Sequence, residues 1–255
     1  MINKKVIENN FSRYAKFYDS YSTIQNFSAQ ELISQVRANG FKNILDIGCG
    51  TGNYTRLLKG KFPQAKITAI DLSKEMLCIA KDKLADRSIK FLRADGQKLK
   101  IKEKFDLISS NATFQWFEGL KQTLQQYQKS LKKCGFILFS TFGPLTFYEL
   151  HESLQSSSGE VFSISASEFL GKEKLELMLK DLFKEVELKQ RIYTEKYDSL
   201  NDLLKKIKYT GVRGNSKIRQ GFWTAKKIAQ IEKTYLSKFK QIVATYQIFF
   251  CRGVK

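Results

Sequence analysis

The sequence predicts an α/β fold, a doubly wound and mostly parallel sheet of seven strands, and three observations predict it. Apolar runs alternate with amphipathic stretches through most of the chain. One of these runs enters a glycine-rich turn that opens a helix, a strand–loop–helix unit. Five candidate strands separated by helices then follow in order, as parallel pairing requires.

Taken in order, Ser28 to Ala38 reads as a helix ended by Gly40. Strands are expected at Asn43–Ile47, Lys66–Ile70, Ile89–Arg93, Phe105–Ser109 and Phe136–Thr141. Helices are expected between them at Tyr54–Leu58, Ser73–Leu84 and Gln122–Lys132, with Gly135 where a helix C-cap glycine belongs. After Gly143-Pro144 the regularity breaks: residues 145–180 look helical, with a serine-rich turn at Ser156, Ser157, Ser158 and Gly159. A sixth strand at Glu185–Tyr193, a helix at Ser199–Tyr209 and a final strand at Thr245–Cys251 complete the reading. The chain is expected to be a single domain over 1–255. An N-terminal arm (1–28) and two insertions (143–180 and 211–240) would form a cap over the active site.

With 42% hydrophobic residues, the 255-residue chain can bury a sizeable core. Cys49, Cys78, Cys134 and Cys251 form no CxxC pair and no His/Cys cluster, which argues against a zinc site and suits a reducing compartment. Residues 1–10 are polar and lack an apolar signal core, and no apolar run approaches membrane-spanning length. A soluble, cytoplasmic monomer without membrane contact or metal is expected. The formal charge is +19. From Leu203 to Lys240, eleven basic residues stand against one acid, Glu232. So concentrated a basic surface calls for an acidic partner, nucleic acid or protein; lysine enrichment from a biased genome is the plain alternative.

The segment Asp46-Ile47-Gly48-Cys49-Gly50-Thr51-Gly52 carries the first chemistry. A dinucleotide loop needs its third glycine at the sixth position of the fingerprint, where a helix N-terminus faces pyrophosphate. Counting from Gly48, Gly52 comes one residue early and Asn53 takes that place. A carboxylate two residues before the first glycine repels pyrophosphate but suits a ligand carrying an ammonium and a sulfonium. The string resembles motif I of the class I methyltransferases, whose cofactor is S-adenosylmethionine; a glycine-rich turn without a ligand is the alternative.

In an open parallel sheet the ligand lies at the carboxyl ends of the strands. Asp46, Gly48, Cys49, Gly50 and Gly52 end the first strand, and Asp71 and Leu72 the second, with Met76 one turn into the next helix. Asp95 and Gly96 follow the third strand, and Asn111 the fourth. Asp71 would accept from the ribose hydroxyls, Leu72 and Met76 would sandwich adenine, and Asp95 would accept from its exocyclic amine. Taken singly, each acid also reads as a helix cap or loop carboxylate. Asn-Pro-Pro-Tyr, the amide-nitrogen methylation signature, is absent. Phe114, Trp116 and Phe117 crowd the fourth strand's end instead, where aromatic faces attract a sulfonium or simply pack the core.

The strings SNATFQWFEGL (110–120) and FSTFGPLTFYELHES (139–153) resemble the malonyl-acyl-carrier-protein O-methyltransferase family of biotin synthesis. Phe17-Tyr18-Asp19, Gln25, Tyr197-Asp198-Ser199, Leu203-Leu204-Lys205, Lys208-Tyr209-Thr210-Gly211 and Ala244-Thr245-Tyr246-Gln247 extend the resemblance over 11–255. Glu118-Gly119 departs from the family's Asp-Leu, and Arg213 has no matched counterpart. The resemblance implies methylation of the free carboxylate of a malonyl thioester on acyl carrier protein, to start pimeloyl synthesis. A carboxylate is already ionised at neutral pH, so no general base is required, and His151 reads as a helix-surface residue.

Tyr18 is expected to close over the substrate. Arg213, with Arg191 or Arg219 as substitutes, would hold the malonyl carboxylate. Phe114, Gln115 and Trp116 would line the substrate side. Lys205, Lys206 and Lys208 would contact the carrier protein. Two other readings stand beside this one: a methyltransferase acting on RNA or another small carboxylate, and a methyltransferase-like binding protein without turnover.

Overall fold

The computed structural model describes residues 3–36, 40–99, 102–158, 164–211 and 224–255. Two helices precede the sheet, α1 (Lys4–Tyr21) and α2 (Thr23–Ser34). The alternation then runs β1 (Asn43–Ile47), α3 (Asn53–Lys61), β2 (Lys66–Asp71), α4 (Lys74–Leu84), β3 (Ile89–Arg93), β4 (Phe105–Ser110), α5 (Leu120–Ser130) and β5 (Leu131–Phe142). Beyond it come α6 (Tyr148–Ser158), α7 (Lys172–Leu182), β6 (Glu185–Tyr197), α8 (Leu200–Tyr209), α9 (Ala225–Phe239) and β7 (Ile242–Val254).

The seven strands form one sheet in the order β3-β2-β1-β4-β5-β7-β6. All neighbours are parallel except β7, which runs antiparallel to both β5 and β6. The predicted seven-stranded, mostly parallel sheet is therefore the observed one. Its strand order reverses between β1 and β4, and a crevice opens there at the carboxyl ends of the strands. Helices cover both faces, so the central strands are apolar on both sides. Ile44, Leu107 and Leu138 join one buried cluster with α2 and α3, while Leu45, Ile108 and Ile137 join the other with α5 and α7.

Several local expectations are corrected. The N-terminal arm is helical: the Asn3 side chain accepts from the backbone N–H groups of Lys5 and Val6, which caps α1. The first expected helix begins at Thr23 rather than Ser28. Gly135 is not a helix cap. The helix ends at Ser130, and Gly135 lies inside β5 where the pairing register with β4 shifts between Phe105 and Leu107. A Cβ on Gly135 would stand 3.0 Å from the carbonyl oxygens of Lys132 and Phe105, a tight approach that favours glycine in this bulge. The basic span contains a helix, α9, with its N-cap at Thr224. No helix among the described residues is long and apolar enough to cross a membrane.

Candidate active site

The loop after β1 is fastened to the end of β2. Gly48 and Cys49 donate their backbone N–H groups to the Ile70 carbonyl at 2.8 and 2.9 Å. Gly50 N donates to Asp71 Oδ2 (2.9 Å), and Ser73 N donates to Asp71 Oδ1 (2.8 Å). Each Asp71 oxygen therefore keeps an acceptor lone pair free of these bonds. Burial raises the Asp71 carboxyl above its ordinary value, opposed by the backbone donors of Ser73, Gly50 and Leu72.

Gly48 (φ +70°) must be glycine, because a Cβ there would stand 2.5 Å from Thr113 Cγ2. Gly52 (φ +85°) serves helix packing instead. Its absent Cβ leaves room for Leu84 Cδ1 and Ala80 of α4, and it does not line the cleft.

Asp46 sits wholly buried beneath this loop. Thr55 Oγ1 donates to its Oδ2 at 2.6 Å, whereas Oδ1 has no hydrogen-bond partner among the described residues. Burial pushes its carboxyl up to about 7, the Thr55 hydrogen bond opposes that rise, and the Asp71 charge adds to it.

Above the loop lies a cleft walled on one side by α1. The structure brings Gly48, Gly50, Asp71, Leu72, Met76, Asp95, Gly96 and Asn111 together along it, with Tyr18, Trp116 and Phe117. Lys4, Ile7 and Phe11 of α1 and Thr113 also line it, and sequence reasoning missed them. The signal was there: Asn3 as N-cap and Ile7, Phe11, Ala15 and Tyr18 at helical spacing. Cys49 lies under the loop rather than in the cleft, and burial pushes its thiol up.

Asp95 is already engaged. Lys4 Nζ donates to both its oxygens at 2.6 and 2.7 Å, Gln97 N donates to Oδ1, and the Lys4 ammonium lies 5.4 Å from the Phe117 ring centre. Among the described residues lining the cleft, Lys4 carries the only positive charge. The Asn111 amide is committed as well. Its Oδ1 receives the Ser28 and Ser140 hydroxyls at 2.8 and 2.7 Å, and its Nδ2 donates to the Gln25 carbonyl. It ties α2 to the ends of β4 and β5.

Phe114 lies in the core against Phe117, Tyr127 and Phe139. Gln115 braces its turn, donating to the Ala112 carbonyl at 2.6 Å and accepting from Thr141. Neither lines the cleft. Trp116 does, edge-on to Phe11 (6.4 Å) and to Phe169 (5.5 Å). Tyr18 is pushed well above the ordinary phenol value by burial and then by the charges of Asp19 and Asp71. Among the described residues nothing hydrogen-bonds to its hydroxyl.

Arg213 and Arg219 lie outside the described residues, and Arg191 pairs with Glu31 at 3.6 Å on β6. Lys206 requires a correction. It is only 6% exposed, with its ammonium paired to both oxygens of Glu195, so its charge is not offered at the surface. Lys205 and Lys208 are exposed. His151 lies on α6 beside Gln155, away from the cleft. Among the described residues no group of three or more His, Cys, Asp or Glu could hold a metal.

Residues 44–135 match the family model described as a methyltransferase domain. A malonyl-[acyl-carrier protein] O-methyltransferase of Ilyobacter polytropus is 36% identical over 242 residues, 94% of this chain and 92% of that one. The chain belongs to the malonyl-[acyl-carrier protein] O-methyltransferase family. The protein of that name from Acetivibrio thermocellus is 33% identical over 278 residues, covering 100% of this chain and 95% of its own. The one from Priestia megaterium is 47% identical over 154 residues, 59% of this chain and 56% of that one. Among solved structures, the YcgJ protein of Bacillus subtilis superposes with a TM-score of 0.64 at 15% identity, over 90% of this chain and 98% of its own, and shares the fold.

The chain is thus an enzyme of the methyltransferase class, and its cofactor is S-adenosylmethionine. The site fits that cofactor. The unpartnered Asp46 oxygen beneath the loop leaves a buried acceptor for the cofactor's positive end, and the cleft floor is closed to a side chain at Gly48.

Proposed function

We propose that this enzyme methylates the free carboxylate of a malonyl thioester carried by acyl carrier protein, the first step toward a pimeloyl chain. The observation that carries this reading is the relation, over nearly the whole chain, to proteins bearing that name. The chemistry of the cleft agrees. An ionised carboxylate needs no base, and the titratable groups lining the cleft have other roles: Tyr18 is held protonated by burial, Asp95 is paired with Lys4, and Asp71 accepts from the backbone of Gly50 and Ser73 and faces the ribose position.

When bound, S-adenosylmethionine supplies an electrophilic methyl group. Around it, Asp71 offers its free lone pairs to the ribose hydroxyls, and Leu72 and Met76 form apolar walls for adenine. Asp46, Gly48 and Gly50 support the charged end, and Gly96 and Asp95 bound the adenine edge. The Tyr18 hydroxyl is the donor free to orient the malonyl carboxylate. A neutral phenol suits this task, because a full cation would stabilise the reactant charge more than the charge-neutralised transition state.

The helix α1 is the principal cover over the cleft, excluding water by means of Ile7, Phe11 and Tyr18. The end of α8 braces it, where Gly211 fits against the Phe11 ring. The segments 143–180 and 211–240 would extend that cover in a single monomeric domain, with Arg213 as a further candidate to hold the substrate.

The test offers labelled cofactor with malonyl-carrier, acetyl-carrier and RNA. Label on the malonyl species alone is expected, since acetyl lacks the acceptor carboxylate. Equal label on the acetyl species, or label confined to RNA, would overturn the assignment. Tyr18→Phe should raise KM for the malonyl thioester several-fold while leaving cofactor affinity within twofold.

A further inference from the structure

Helix α1 presents two stripes. Lys4, Ile7, Phe11 and Tyr18 face the cleft. Tyr14, Phe17 and Tyr21 instead gather around Tyr209 at the end of α8, with ring centres 5.5, 5.0 and 4.7 Å away. This second stripe is not sealed from solvent: Phe17 is 50% exposed.

Cations rim it. Lys208 Nζ lies 5.5 Å from the Tyr14 ring centre and 5.3 Å from that of Tyr209, and the Arg13 guanidinium lies 5.7 Å from Tyr14. Among the described residues no carboxylate pairs with Arg13 or Lys208, and the neighbouring acid Asp202 is taken by Lys205 at 3.1 Å. Unpaired cations around an exposed aromatic surface match the interaction-site pattern of an apolar centre with a charged rim.

We propose that this ridge of α1 and α8 is the docking surface for the acyl carrier protein, an acidic partner that would set an apolar patch on Phe17 and its carboxylates on Arg13 and Lys208. The assignment rests on the carrier-bound substrate proposed above and adds where that carrier sits. Its logic is positional. The helix that receives the carrier on one stripe walls the cleft with the other, so a partner seated here holds its acyl arm beside the cleft mouth.

The test titrates fluorescent holo-carrier protein, without a malonyl group, into the full-length enzyme at low ionic strength. Arg13→Glu/Lys208→Glu should weaken binding about tenfold or more, and Phe17→Ser several-fold. A double reversal at the amino-terminal ends of β2 and β3, Lys66→Glu/Lys90→Glu, should leave binding unchanged. With malonyl-CoA as acceptor the ridge variants should keep wild-type kcat/KM, which shows that they fold and that the cleft is intact. Undiminished carrier binding by the ridge variants, equal loss in the control pair, or binding of RNA but not carrier by the wild type would overturn the proposal. Methyl transfer by the wild type to neither malonyl acceptor would sink the substrate assignment instead, while the carrier titration still decides the ridge.

Discussion

Replacing Gly48 by alanine tests whether the loop after β1 must keep its observed path for the cofactor to bind. The backbone there has φ +70°, and an added Cβ would stand 2.5 Å from Thr113 Cγ2 and 2.8 Å from Thr113 Cβ. Non-bonded carbons prefer about 3.5–4.0 Å. The left-handed conformation alone costs an alanine about 1 kcal/mol, and overpacking against Thr113 adds about 1–3 kcal/mol. The sum is about 2–4 kcal/mol against the loop geometry held by the Ile70 carbonyl. At about 1.4 kcal/mol per tenfold, S-adenosylmethionine should bind at least about 30-fold more weakly. Isothermal titration reads this directly. In the double variant Gly48→Ala/Thr113→Gly the packing part should return and the conformational part remain, leaving a loss of about fivefold to tenfold. Gly48→Ala binding the cofactor within twofold of wild type would refute the reasoning, as would a double variant no better than the single one.

Asp46 gives a pH signature. Its folded-state carboxyl is raised from 3.8 to about 7, chiefly by burial, so the native state holds a proton that the unfolded chain has released. Its contribution to stability is complete below the unfolded value and is lost as pH rises through about 7, on the order of 4 kcal/mol in all. Urea unfolding should show wild type losing stability relative to Asp46→Asn between pH 4 and 7.5; parallel profiles would contradict this. Lys206→Met should destabilise the fold by about 3 kcal/mol because it leaves the Glu195 carboxylate with the Tyr197 and Tyr246 hydroxyls but without its cation, and Glu195→Leu in the same chain should recover part of that, the two hydroxyls then keeping only each other. A single variant as stable as wild type would show the pair to be idle.

The central sheet was legible because its strands are buried on both faces and stand out as apolar runs, each closed by a polar residue or a glycine turn. The cleft floor was legible for the same reason: Gly48, Asp71 and Asp95 lie where strands end. Helix α1 was legible only through its Asn3 cap and the spacing of Ile7, Phe11, Ala15 and Tyr18, a weak signal because its other aromatics form a second stripe toward Tyr209. Gly135 misled because a glycine after a helical stretch looks alike whether it caps the helix or bends a strand. Lys206 misled because its burial depends on Glu195, eleven residues earlier on β6, and composition is blind to such pairing. Asp95 and Asn111 line the cleft, and their protein partners, Lys4 and Ser28, come from the helices that precede the sheet.

The most direct test of the central claim is where the methyl group goes. The wild-type enzyme should convert malonyl-carrier protein and methyl-labelled S-adenosylmethionine to a product whose label resides on the terminal carboxylate, released as methanol by mild base and mapped by mass spectrometry to the malonyl group. Label that resists base, or that maps to the carrier polypeptide or to nucleic acid, would contradict the account.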